Sequence, residues 1–141
     1  MTIIAVRNGI MASDSRGTDD QDSYTYTCGK IFRKGDALIG LAGDDGPGVV
    51  FLDWYGSGKP KPELLVTGEA DFEALVLTRT GVMRYDKWCR GDAWHGKFFA
   101  IGSGAATALG AMHAGATARQ AAAIACKVNP FCAGPVVSRR L

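Results

Sequence analysis

Two residues near the start, Asn8-Gly9, constrain the fold most, because they separate two apolar runs, Thr2–Arg7 and Ile10–Ser13. An Asn-Gly pair readily adopts the left-handed backbone that both central residues of a tight hairpin turn require. The spacing therefore predicts an antiparallel pair of strands, and the chain opens on a sheet rather than a helix. Cys28–Arg33 and Ala37–Ala42 repeat the pattern around Lys34-Gly35-Asp36, so four short strands precede any helix. Between the two pairs, Gly17–Thr27 is rich in Asp, Ser and Thr and reads as a loop.

The segment Gly43-Asp44-Asp45-Gly46-Pro47 joins an acidic N-cap signal to a proline suited to a first helical turn, which predicts a short helix over Gly48–Tyr55. The Gly- and Pro-rich segment 56–62 ends it. Glu73–Thr78 and Val82–Asp86 flank Arg79-Thr80-Gly81 as another hairpin. Trp88, Cys89, Trp94 and His95 fall in a polar connection, where the two tryptophans are expected to close over one end of a sandwich; a ligand-binding loop is the alternative. Lys97–Ile101 is strand-like, and Gly102-Ser103-Gly104 leads into a helix over Ala105–His113 with Leu109 and Met112 on one face. Thr117-Ala118-Arg119-Gln120 is a capping box that opens a second helix through Val128, whose alanines (Ala121, Ala122, Ala123, Ala125) suit close packing. Asn129-Pro130 breaks that helix, and Gly134–Ser138 is a last strand. The order predicts an α+β fold of antiparallel sheets with helices on their outer faces.

At 141 residues the chain is read as one domain, long enough to bury ~68–70% of its unfolded surface. A net charge of +2 with 21% charged residues gives no electrostatic reason to expect nucleic acid. The apolar runs are shorter than the roughly 20 residues of a membrane span, and no basic segment with a following hydrophobic stretch marks the start. A cytoplasmic protein without a membrane partner is expected. Cys28, Cys89, Cys126 and Cys132 form no Cys-x-x-Cys pair, and His95 and His113 sit in no ligand spacing, so reduced thiols and neither metal nor cofactor are expected. Gly58-Lys59 fails as a phosphate loop, with Asp53 where the first glycine belongs and Pro60 in place of Ser/Thr. Gly102-Ser103-Gly104 fails as a dinucleotide fingerprint because Thr107 occupies the third glycine position; its backbone amides remain suited to a carboxylate or oxyanion.

Thr2 carries the chemical interest. Removal of Met1 would place an α-amine beside the threonine hydroxyl, so one residue would hold both a nucleophile and its base. An α-amine titrates near ~7.7–8.0 and accepts a proton at neutral pH. Many chains begin Met-Thr without such chemistry, and the other candidates have equally plain readings. Asp14 and Arg16 could cap a turn, Lys30 could be an exposed strand charge, and Gly43 could permit a tight strand-to-helix turn.

Taken together, Thr2-Ile3-Ile4-Ala5-Val6, Ala12-Ser13-Asp14-Ser15-Arg16, Gly29-Lys30-Ile31, Gly40-Leu41-Ala42-Gly43, Ala100-Ile101-Gly102-Ser103-Gly104 and Ala108-Leu109-Gly110-Ala111 resemble, in order, the proteasome β-subunit family of N-terminal nucleophile hydrolases, HslV-type peptidases included. The resemblance implies a four-layer αββα sandwich and a threonine peptidase acting on peptides or unfolded proteins. It implies Thr2 as nucleophile, Asp14 and Lys30 as a buried ion pair beneath it, Gly43 as the oxyanion donor and Ser103 as a contact of the amine. It also implies self-assembly into a homo-oligomer in the form of a ring and, as often in the family, a separate ATPase that feeds substrate. Three positions or segments depart from the family pattern. Asn129 and Cys132 replace an aspartate and a serine, which implies lower activity than full-pattern members, and a loss of turnover in Asn129→Asp would count against that implication. The helical layer after the fourth strand is shortened. A catalytically degenerate subunit serving in assembly is the alternative function.

Overall fold

The computed structural model describes residues 1–19 and 21–141. Its strands and helices follow in the order β1 (Ile4–Arg7), β2 (Ile10–Ser13), β3 (Arg16–Thr18), β4 (Thr25–Thr27), β5 (Ile31–Lys34) and β6 (Ala37–Gly43), then α1 (Asp45–Trp54) and α2 (Glu63–Thr67). β7 (Phe72–Thr78), β8 (Gly81–Tyr85), β9 (Gly91–Trp94) and β10 (Phe98–Ile101) come next, and α3 (Ala105–His113), α4 (Ala118–Val128) and β11 (Val137–Arg140) complete the chain. Asn8 and Gly9 turn the first hairpin with φ of 53° and 72°, the positive pair that a two-residue turn of this kind needs.

Besides a two-stranded β3-β4 pair, two larger antiparallel sheets form among the described residues. One has the order β10-β1-β2-β11 and the other β5-β6-β7-β8-β9. Alternation along β1 and the residue before it decides which layer each side chain joins. Ile4 and Val6 point between the sheets and meet Met11, Leu38, Leu75 and Ile101. Ile3 and Ala5 face the other way and pack beneath α3 and α4. On α4 the buried positions are Ala118, Ala121, Ala122 and Ala125, whose small side chains let the helix lie close to the sheet. On the far face Phe51 of α1 and Leu65 of α2 cover Ile39, Phe72, Ala74 and Val76. The layers are thus helices, sheet, sheet, helices. The second helical layer is thin, because α1 has ten residues and α2 five. No helix among the described residues is long and apolar enough to cross a membrane.

Two segments differ from the expectations. The stretch read as a loop over Gly17–Thr27 contains the β3-β4 arm, in which Arg16, Gly17 and Thr18 pair with Thr27, Tyr26 and Thr25. Asp19 holds its turn by accepting from Ser23 N, Ser23 Oγ and Tyr24 N. Every residue of β4 is exposed, so no apolar alternation marks it. The tryptophans do not pair either. Trp94 ends β9, an edge strand, and lies 6.3 Å from Phe99. Trp88 lies in the turn at the opposite end of the β8-β9 hairpin, with Lys87 Nζ 4.6 Å and Arg90 Cζ 4.8 Å from its ring.

Candidate active site

The site forms where β1, the end of β2 and the start of β5 meet the turn before α3. Ile3 and Ile4 are fully buried, and burying them draws Thr2 to 5% exposure. The Gly102-Ser103-Gly104 turn clamps its backbone: Gly104 N donates to the Thr2 carbonyl at 3.2 Å, and Thr2 N donates to Ser103 Oγ at 3.2 Å. Gly102 has φ +93° and sits so close that a Cβ there would overlap the Thr2 carbonyl oxygen. The amides that the sequence offered to a carboxylate or oxyanion thus include one taken up by the chain's own start.

Beneath Thr2 lies an ion pair. Lys30 Nζ is 3.0 Å from Asp14 Oδ1 and 3.1 Å from Oδ2, with the two side chains 8% and 0% exposed. A carboxylate so far from water needs more than one partner. Asp14 also accepts from Ile3 N at 3.1 Å and from Ala133 N at 3.3 Å. The same Lys30 ammonium donates to Thr2 Oγ1 at 3.0 Å and to the Met1 carbonyl at 3.0 Å. Lys30 is therefore no exposed strand charge, and Asp14 no turn cap. Chemically, the arrangement sets a cation against a hydroxyl oxygen, which favours the alkoxide over the alcohol.

Ser103 connects this pair to the third group of candidates. Asn129 Nδ2 donates to the Ser103 carbonyl at 2.7 Å, and its Oδ1 accepts from Phe131 N at 2.8 Å. Cys132 Sγ is 3.7 Å from Ser103 Oγ and the residue is 1% exposed. Burial pushes the Cys132 thiol up, against a smaller downward pull from the Ser103 hydroxyl, so it stays a neutral thiol and is poorly suited to be a nucleophile. Gly43 ends β6 opposite Phe72 with φ +98°, and a Cβ there would overlap the Asp71 carbonyl; the tight turn alone requires glycine. Thr2, Asp14, Lys30, Ser103, Asn129 and Cys132 form one hydrogen-bonded or contacting set, whereas Gly43 stands at a neighbouring strand end.

Sequence reading missed two backbone members of the set, Ile3 N and Ala133 N, and offered Gly104 N to an anion where it meets the Thr2 carbonyl. It also gave no role to Ser15, whose Oγ donates to the Pro135 carbonyl at 2.6 Å, and read Arg16 as a turn cap, whereas its Nη2 donates to the Pro130 carbonyl at 2.8 Å. These two tie the segment carrying Ala133 to the end of β2. Gly134, at φ +82° against Ser15, was the available signal for that close approach. Among the described residues no group of three or more His, Cys, Asp or Glu side chains is placed to hold a metal ion.

Solved structures share the fold of this chain. Thiobacillus denitrificans BPH in complex with epoxomicin matches with a TM-score of 0.73 and 20% identity, over 99% of this chain and 97% of that one. A second structure of Thiobacillus denitrificans BPH matches with a TM-score of 0.73 and 21% identity, over 99% and 96%. Eukaryotic HslV from Trypanosoma brucei matches with a TM-score of 0.71 and 16% identity, over 98% and 97%. No protein-family model and no curated protein sequence matches the chain. The chain has the αββα fold of proteasome- and HslV-type N-terminal nucleophile hydrolases.

Proposed function

We propose that the chain is a threonine-type N-terminal nucleophile hydrolase that cleaves peptide or other amide bonds. The observation that carries this is the 3.0 Å contact of Lys30 Nζ with Thr2 Oγ1, on a lysine held by a fully buried Asp14. Removal of Met1 converts Thr2 N from an amide into an amine beside Ser103 Oγ. The amine takes the hydroxyl proton, Oγ1 attacks the substrate carbonyl, and the oxyanion forms toward the Gly43 N–H, a contribution worth roughly 10²–10³ in rate. Collapse breaks the C–N bond, the ammonium returns its proton to the leaving amine, and an ester on Thr2 remains. Water, deprotonated by the same amine, hydrolyses that ester. Self-assembly into a ring, which the HslV likeness supports, belongs to the same reading, as do peptides or unfolded proteins as substrates and a separate ATPase to deliver them.

A second reading, an inert subunit serving in assembly, has its own observation. Beside Ser103 stand Asn129 and Cys132, where the family pattern has an aspartate and a serine, and a retained Met1 would leave Thr2 N an amide without basicity. The test is hydrolysis of a fluorogenic peptide library by protein shown to lack Met1, alongside Thr2→Ala. Cleavage by the first and none by the second supports the hydrolase. Inertness of the protein lacking Met1, in a stable oligomer, supports the assembly subunit.

A further inference from the structure

We propose that Asn129 is a positioning residue that works through its amide nitrogen, so that this site requires an amide and is impaired by a carboxylate. The inference rests on the reading of Thr2 as nucleophile and deepens it. Asn129 is read oppositely by its two neighbours: the Ser103 carbonyl demands a donor at 2.7 Å and Phe131 N an acceptor at 2.8 Å. Only one orientation of an amide satisfies both. Ser103 in turn receives Thr2 N on its hydroxyl and lies in the Gly102–Gly104 turn that holds the Thr2 carbonyl. Asn129 therefore fixes the turn that fixes the nucleophile, without touching a reacting atom. The family resemblance implied a weakened substitute for aspartate, whereas the geometry points to a residue that aspartate would replace badly.

The consequence is a pH signature. In Asn129→Asp a carboxylate oxygen would face the Ser103 carbonyl oxygen at the C-terminal end of α4, where helix carbonyls also disfavour negative charge. The protonated acid instead carries an O–H that donates to Ser103 while its other oxygen still accepts from Phe131 N. Both effects raise the carboxyl above its ordinary range. Lys127 on α4 opposes them, as does Arg16, whose guanidinium reaches the Pro130 carbonyl. The remaining titratable groups around the turn are the Cys132 and Cys126 thiols, the Thr2 amine and the Lys30–Asp14 pair.

The experiment compares wild type lacking Met1, Asn129→Asp and Asn129→Ala in peptide hydrolysis from about pH 4 to about pH 9, a range that spans the ordinary and the raised carboxyl. At the alkaline end Asn129→Asp is expected to turn over roughly three- to tenfold slower than wild type with KM unchanged. The ratio of the two rises toward one as pH falls. Asn129→Ala is slow throughout, with no recovery in acid. A ratio that is flat, or that rises with pH, overturns the proposal. Thermal unfolding midpoints of the same proteins give a readout independent of turnover, in which the gap between Asn129→Asp and wild type narrows in acid. Should the wild type prove inert, the hydrolase reading fails while this gap still decides the role of Asn129: narrowing supports it, and a constant or widening gap overturns it.

Discussion

Lys30 and Asp14 form a buried pair on which the fold depends and, in the proposed reaction, the chemistry depends as well. Removing one partner of a buried pair leaves an uncompensated charge, which costs about 3–5 kcal/mol. Asp14 keeps two backbone N–H partners, Ile3 and Ala133, but these are dipoles rather than a countercharge. Lys30→Met is accordingly expected to lower unfolding free energy by an amount in that range, read by urea denaturation near neutral pH, and to abolish turnover. A loss under about 1 kcal/mol would mean that Asp14 reaches water or another cation in the folded protein.

At the scale of elements, α4 carries much of the site, because its C-terminal end leads into Asn129 and Cys132. Its start is fixed by a reciprocal box: Thr117 Oγ1 accepts from Gln120 N at 3.1 Å, and Gln120 Oε1 accepts from Thr117 N at 2.9 Å. Thr117→Ala removes one half of it and is expected to cost about 0.5–2 kcal/mol, which lowers the thermal midpoint by a few degrees. No change in midpoint would show that tertiary packing alone holds that end. The same element shows what the sequence made legible. Both boundaries of α4 follow from side-chain chemistry, the capping box at one end and Asn129-Pro130 at the other, and the first hairpin follows from Asn8-Gly9. β4 and β9 escaped because their side chains are mostly exposed, and β3 because its three residues, Arg16, Gly17 and Thr18, include no apolar side chain to set a period. The charged members of the site were readable from residue type and order. Its backbone donors were not, since an N–H has no sequence signature and only Gly102 and Gly134 hinted at close approach. The direction of the Asn129 amide depends on the Ser103 carbonyl, which folding alone brings near.

Across the whole molecule, burial leaves several acidic groups reluctant to ionise. Burial pushes the thiols of Cys89 and Cys126 up from 9.0 to about 11, and raises Cys132 and the Tyr85 phenol in the same direction. Below the unfolded value both states keep the proton, and the stabilisation is fully present. Between 9.0 and about 11 the unfolded thiols release protons that the folded ones retain, so stability falls as pH rises. The urea midpoint should therefore drop through that window. Cys89→Ala combined with Cys126→Ala should flatten the slope; an unchanged slope would assign the alkaline loss to other groups.

The central claim, that Thr2 is a nucleophile with a free amine, is tested most directly by intact-mass spectrometry of protein from its native cell, before and after exposure to an epoxyketone such as epoxomicin. The expected result is a chain lacking Met1 that gains one inhibitor mass, with the adduct on Thr2 and none on Thr2→Ala. A chain that retains Met1 throughout, or that lacks Met1 and stays unlabelled, would contradict it.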